Sequence, residues 1–217
     1  MLDNWGLVDF AKAALIERWG YVWGTFGQVL TPALFEYKLK QYPKEVGRYK
    51  DHIQKNYISK RTADCIGLIK AYLWWSGDHP VYTSETDKSA NGMFTSATDT
   101  GPIGSLPELP GVCLWRTGHV GVYIGNNQVI EAKGTLYGVI QTVLNESGWT
   151  HWWKCPDIEY VPCRDFDKIS DWAKGPVEKL KDQGIMYGSG ERFRPKDSIT
   201  REEVATVIYR TIQYLKS

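Results

Sequence analysis

A thiol reacts as its thiolate, so a nucleophilic cysteine needs a helix N-terminus or an imidazole beside it. Two segments of this chain offer both. Cys65 stands in Ala63-Asp64-Cys65-Ile66-Gly67-Leu68-Ile69-Lys70, and Cys65, Leu68, Ile69, Tyr72 and Leu73 share one helical face. That spacing predicts a buried helix with Cys65 in its first turn, at the positive end, and an end near Gly77. His119 heads Gly118-His119-Val120-Gly121-Val122-Tyr123-Ile124-Gly125, which reads as a strand. The turn Gly125-Asn126-Asn127 folds it into a hairpin with Gln128 to Ala132 and brings Glu131 near His119 at the open end. Spacing alone leaves open whether the two side chains share a face. A carboxylate there would fix the tautomer and orientation of the imidazole, and the joint pattern favours catalysis over three unrelated structural residues.

Other elements must position these groups. Leu7, Val8, Ala11, Ala14 and Leu15 recur at helical spacing after Asp3-Asn4, which can cap, so a first helix is expected to about Trp19. An aromatic, glycine-containing turn follows, Tyr21 to Gly27. Residues 32–56, rich in Lys, Glu and Tyr around Pro32 and Pro43, suit one or two short surface helices without chemistry of their own. Residues 77–111 are dense in Gly, Pro, Ser, Thr and Asp and read as a long loop that shapes a site. Strands are expected at Val112 to Trp115, His119 to Ile124, Gln128 to Ala132 and Val139 to Leu144. After Pro162 the texture changes: Trp172, Ala173, Val177 and Leu180 make one helix stopped by Gly184, and Val204, Ile208, Ile212 and Leu215 make another. Thr200-Arg201-Glu202-Glu203 fits a capping box at the start of the second. The division expected is a domain over 1–162 and a small helical module over 163–217.

Composition narrows the class. The chain has 217 residues, 42% hydrophobic and 24% charged, enough for one good core and a small second unit. Lys and Arg total 26 against 25 Asp and Glu, a net charge of +1, which disfavours nucleic acid or an anionic membrane as partner. Ten Trp and thirteen Tyr are many for this length, and such side chains line carbohydrate or peptide clefts as well as cores. The four cysteines, Cys65, Cys113, Cys155 and Cys163, show no C-x-x-C pair and no zinc-type spacing with His, so no metal or other cofactor is expected. Cys113 reads as a small buried hydrophobe, whereas Cys155 and Cys163 flank a Pro-containing segment and are a candidate disulfide. The start Met1-Leu2-Asp3-Asn4-Trp5 lacks the form of a secretory signal, and no run approaches the roughly 20 apolar residues of a membrane span.

Tyr21-Val22-Trp23-Gly24, Asp64-Cys65-Ile66-Gly67-Leu68 and His119 to Gly125, in this order, resemble the NlpC family of bacterial and phage cell-wall cysteine peptidases over about residues 1–160. The resemblance implies a papain-like α+β fold, with a nucleophile-bearing helix packed on an antiparallel sheet that bears the base. It implies peptidoglycan as partner and cleavage of an amide in its stem peptide, most plausibly between D-γ-glutamyl and the diamino residue, through a thioester on Cys65 with His119 as base. The family's third position, usually His, Asn or Gln, falls on Glu131. Tyr21 and Asp64 match family positions at the substrate, with Trp23 beside them; Asp64 would also serve as a helix cap. Where the family has Ser after the cysteine this chain has Ile66. A muramoyl-L-alanine amidase, an acyl transferase or a non-catalytic wall-binding protein on the same fold are the alternatives. Phe166-Asp167, Trp172-Ala173, Gly184-Ile185, Gly188, Phe193-Arg194-Pro195 and Ile199-Thr200-Arg201-Glu202-Glu203 look like one S-layer homology (SLH) repeat. That implies anchoring to a secondary cell-wall polymer, with Arg201 and Trp172 as contacts and a guanidinium suited to an acidic sugar. Family anchors use three repeats, so a single one would trimerise, self-associate or pack on the catalytic domain. The site of action implied is the bacterial cell wall, reached by a phage-type lysin or by a protein whose signal has been removed.

Overall fold

The computed structural model describes residues 2–216, which form two compact units dividing between Tyr160 and Val161. The first is α+β, with helices packed on an antiparallel sheet. In chain order it holds α1 (Asn4–Ile16), β1 (Phe26–Val29), α2 (Pro32–Gln41), α3 (Lys50–Asn56), β2 (Arg61–Ala63), α4 (Cys65–Leu73), β3 (Trp75–Ser76), β4 (His79–Pro80), α5 (Ala90–Thr95), β5 (Thr100–Pro102), β6 (Cys113–Arg116), β7 (His119–Gly125), β8 (Gln128–Gly134), β9 (Gly138–Val143) and β10 (His151–Trp153). Six of the strands form one sheet in the order β5-β10-β6-β7-β8-β9, every neighbouring pair antiparallel.

Alternation along the strands gives this sheet two apolar faces. Cys113, Val120, Val122, Ile130, Ala132 and Val139 share a core with Leu7, Ala11 and Ala14 of α1 and Leu68, Ile69 and Tyr72 of α4. Leu114, Tyr123 and Val129 pack instead with Trp149 in a second cluster. The hairpin β7–β8 turns on Asn126 and Asn127, both left-handed (φ 52° and 58°), as a primed two-residue turn requires. Ile124 is an extra residue there: Gly125 pairs with Gln128, but Tyr123 pairs with Val129 and Val122 with Ile130.

Several elements depart from the sequence reading. The first helix stops at Ile16 because Arg18 turns left-handed (φ 55°): its N–H donates to Leu15, and that of Trp19 donates to Ala14, closing the helix in a Schellman motif. Trp19 thereby packs edge-on against Phe10 at 5.6 Å and along Trp75 at 6.0 Å. The Cys65 helix ends at Leu73, since Trp75-Ser76 and His79-Pro80 pair as a small hairpin. The stretch 77–111 is not all loop, holding α5 and edge strand β5. The candidate disulfide is absent: all four cysteines are free and buried.

Residues 161–216 carry α6 (Asp171–Asp182) and α7 (Arg201–Tyr214) around a small core of Cys163, Ile169 and Val177. The capping box closes both ways: Thr200 Oγ1 accepts the Glu203 N–H at 3.1 Å, and Glu203 Oε2 accepts the Thr200 N–H at 2.8 Å.

The start of α4 is held by close backbone packing. A Cβ on Gly67 would lie 2.0 Å from the Thr25 carbonyl oxygen and 2.9 Å from Asp64 Oδ1. Alanine normally stabilises a helix relative to glycine by up to about 1 kcal/mol; here Gly67→Ala is expected to destabilise by roughly 1–3 kcal/mol through overpacking. Urea unfolding of the full chain measures it, and an unchanged or raised midpoint contradicts the packing.

Candidate active site

Asp64 caps α4. Its Oδ1 accepts the Gly67 N–H at 2.7 Å and its Oδ2 the Gly24 N–H at 2.8 Å, so one carboxylate ties the Tyr21-to-Gly27 turn to the first turn of the helix. Burial raises the Asp64 pKa, opposed by those two N–H groups and by the charges of Lys70 and Lys38. Cys65 follows at the first helical position, buried, with Sγ 3.8 Å from the Gly118 carbonyl oxygen. The Val120 and Ile66 N–H groups also point at the sulfur. The thiol therefore lies against the backbone on both sides of His119.

The His119 ring is buried and stacks on Trp149, with centroids 5.4 Å apart and planes 9° from parallel. Its Nε2 lies 2.7 Å from Glu131 Oε2. Glu131 is fully buried, and its Oε1 accepts hydrogen bonds from Thr142 Oγ1 at 2.7 Å and from Ser147 Oγ. Burial works to raise the Glu131 pKa, but the donors His119, Ser147 and Thr142 outweigh it and hold the carboxyl below its usual value. An ionised carboxylate on Nε2 makes that nitrogen the donor. The neutral ring then carries its lone pair on Nδ1, which is the atom able to take a proton.

The bulge at Ile124 makes this pair possible. The register at the turn, Gly125 with Gln128, continued without a bulge would set Glu131 across from Val122, which faces the α1 and α4 core. With Ile124 inserted, Val122 meets Ile130, and Glu131 falls across from Gly121 on the face of His119. Gly121 leaves room for the stacking ring: a Cβ there would meet Trp149 Cζ2 at 2.9 Å.

Helix dipole and imidazole lead one to expect a depressed Cys65 pKa, and the structure corrects this. Burial, then the charge of Asp64, push the thiol up to about 12 against the pull of the Val120, Ile66 and Cys65 N–H groups. Tyr21 is buried beside it, and burial, then Cys65 and Asp64, drive the phenol far above its ordinary range. A cleft of about 810 Å³ opens on Cys65, Asp64 and Gly118 and has the half-exposed Trp23 at its wall.

The cleft also contains residues the sequence reading passed over. Helix α2, expected to be chemically silent surface, supplies Lys38 and Gln41, and Tyr42 follows at its C-cap. Lys70 pairs with Asp87 Oδ1, and Tyr82 donates to Asp87 Oδ2 at 2.9 Å. Asn91 Oδ1 accepts from the Gly118 N–H at 2.8 Å and from Trp115 Nε1 at 3.1 Å, fixing the turn before His119. Nothing in residue type or period distinguished these from solvated polar positions. In the second unit Trp172 is 84% exposed and Arg201 is exposed at the first position of α7. A groove of about 470 Å³ there is lined by Arg194, Arg210, Glu202 and Tyr187 among others, without Arg201 or Trp172.

Residues 164–205 match the S-layer homology domain. Curated relatives that share short segments are an exoglucanase XynX from Acetivibrio thermocellus, 40% identical over 50 residues, and an amylopullulanase from Thermoanaerobacterium thermosulfurigenes, 40% identical over 48. Those matches take in 23% and 22% of this chain but only 5% and 3% of the two relatives. Among solved structures the chain is similar to the P60 domain of an antigen from M. avium subspecies paratuberculosis (21% identity, TM-score 0.43, 72% of this chain and 98% of that one). It is also similar to the peptidoglycan hydrolase RipB from Mycobacterium tuberculosis (18%, 0.42, 72% and 67%) and to NlpC1 from Trichomonas vaginalis (18%, 0.41, 71% and 46%).

Two measurements check this electrostatics. With burial and Asp64 raising the Cys65 pKa, alkylation of the thiol by iodoacetamide, followed by mass spectrometry, should be slow at pH 7 and climb steadily above pH 9. Rapid, pH-independent labelling between pH 6 and 8 would contradict it. Glu131 has a folded pKa below its unfolded one, so its stabilisation is complete above the ordinary carboxylate value near ~4.3 and is lost as pH falls through the folded value. Denaturant titrations from pH 6 to pH 3 should therefore show a shallower loss of stability for Glu131→Gln than for the parent.

Proposed function

We propose that the first unit is a cysteine peptidase acting on peptidoglycan, an endolysin- or autolysin-like hydrolase that cuts an amide of the stem peptide. The observation that carries this reading is the buried His119–Glu131 pair next to a helix-start thiol at the wall of an open cleft. In the proposed cycle His119 Nδ1 takes the Cys65 proton as Sγ attacks the amide carbonyl carbon. Glu131 stabilises the resulting imidazolium through Nε2. Raised so far in the free protein, the thiol is deprotonated only as it attacks, so the base participates in the bond-forming step. The tetrahedral adduct collapses to a thioester, His119 returns the proton to the departing amine, and water repeats the sequence to release the acid. Tyr21, Trp23 and Asp64 are the proposed substrate contacts, and the D-γ-glutamyl to diamino acid linkage is the bond assigned.

Arg201 and Trp172 are assigned to a secondary cell-wall polymer, supported by their exposure in the segment that matches the S-layer homology domain. Exposed Val204, Ile208 and Ile212 along α7, with Leu215 at its C-cap, favour self-association of this module. The boundary proposed between the two functions is 162/163.

Purified sacculi digested with the full chain, followed by muropeptide mass spectrometry, test the proposal and identify the bond. Cys65→Ala is expected to abolish product, and His119→Ala to lower kcat by roughly 10²–10⁴. Digestion by Cys65→Ala at the parent rate removes Cys65 as nucleophile. In the same preparation, Arg201→Ala should reduce sedimentation of the full chain with polymer-bearing walls and leave digestion of stripped walls unchanged.

A further inference from the structure

Lys38 is a charged side chain in an unusual setting. It projects from α2 into the cleft that holds Cys65, yet it is only 7% exposed. Its Nζ donates to Gln41 Oε1 at 3.0 Å and lies 5.4 Å and 5.6 Å from the ring centroids of Tyr37 and Tyr42. An ammonium has three donors and a strong penalty for losing water, so a buried lysine normally meets a carboxylate. The cleft contains two, and each is committed elsewhere. Asp64 is taken by the N–H groups of Gly24 and Gly67, and Asp87 by Lys70 and Tyr82. Both attract Lys38 through space and partly offset the burial that lowers its pKa.

The surroundings are built closely around this amine. A Cβ on Gly24 would lie 2.5 Å from the Tyr42 ring and 3.3 Å from Lys38 Nζ, and Gly24 is left-handed (φ 77°), so glycine alone lets the turn pass beside the ammonium. The same Gly24 N–H holds the carboxylate that caps the Cys65 helix. Lys38 and Cys65 line the same cleft, so a group held by the ammonium shares that space with the nucleophile.

We infer that Lys38 is a specificity-determining residue that binds a substrate carboxylate in the cleft, so that the site favours a stem peptide with a free carboxylate beside the scissile amide over one in which it is amidated. This rests on the hydrolase reading above. A γ-linked glutamyl residue supplies such a group, because its α-carboxylate branches off the chain that is cut, and its carboxamide form keeps the shape and loses the charge. The amine's own burial, with the Tyr37 and Tyr42 rings at cation–π distance, strengthens its pull on an anion.

The test is calorimetric binding of two synthetic tripeptides, L-Ala-γ-D-Glu-meso-diaminopimelate and its α-carboxamide, to the full chain carrying Cys65→Ala. The carboxylate form is expected to bind about tenfold to a hundredfold more tightly. Adding Lys38→Met should abolish that preference, and Lys38→Arg should retain most of it, with far-UV circular dichroism reporting the fold of both. No preference in the parent, a preference that survives Lys38→Met, or binding of neither peptide overturns the inference. Sacculus digestion by the chain with Cys65 intact separates the two readings. Digestion with no carboxylate preference leaves the hydrolase standing and removes Lys38; a Lys38-dependent preference without digestion does the reverse.

Discussion

One carboxylate, half-buried at the wall of the cleft, organises the first unit. The two oxygens of Asp64 reach in opposite directions along the chain, to Gly67 in the first turn of the helix and to Gly24 in the preceding turn. Those bonds fix the tip of α4, and with it Cys65, against the loop that carries Tyr21 and Trp23. The approach is tight enough that Gly67 has no room for a side chain against Thr25. Breaking either bond would leave a half-buried carboxylate oxygen without its backbone donor, which is why this residue can act as an anchor. Its cost is expressed in the neighbouring thiol, whose ionisation Asp64 opposes.

Glu131, which is fully buried, shows how donor number decides the outcome of burial. Asp64 receives two backbone N–H groups and is shifted upward; Glu131 receives an imidazole and two hydroxyls and is shifted downward. The contrast separates their chemistry. A carboxylate kept ionised on Nε2 directs the basic lone pair of the imidazole to Nδ1, whereas the carboxylate beside the sulfur discourages a resting thiolate. Charge separation is thus supported at His119 and resisted at Cys65. In the proposed mechanism, a site with that asymmetry stays uncharged at the sulfur until a carbonyl is in place to accept the electron pair.

What the sequence discloses follows the strength of its periodic signals. The four central strands and the Cys65 helix were legible because their apolar residues recur at the period of the element. Face and register were less so. Whether Glu131 meets His119 depends on one unpaired residue, Ile124, and two left-handed asparagines, and a bulge leaves no mark in an alternation pattern. Helix α2 was legible as a helix and opaque as a wall of the cleft. Among its ten residues only Phe35 and Lys38 are buried, one turn apart, and a lysine on the inward face looks like any solvated one until the tertiary structure covers it. The end of α1 was missed for a similar reason: Arg18 adopts a conformation usually left to glycine, and the packing of Trp19 on Phe10 and Trp75 compensates for it.

The second unit is held together differently. Its core is three buried residues with Phe166, Ala173 and Phe193 against them, too little apolar area to order some fifty residues by burial alone. Polar closure takes over much of the task. Asp165 accepts the N–H groups of Phe193 and Arg194, which hold its carboxyl below the usual range despite burial, and Arg194 in turn pairs with Glu203, the residue that closes the cap of α7. One chain of hydrogen bonds therefore runs from the loop before α6 to the start of α7. That fixes where the last helix begins and leaves its apolar residues exposed, Ile208 at 55% and Ile212 at 44%. A helix whose direction is set by caps and whose apolar stripe remains uncovered is well suited to receive a second surface without first rearranging.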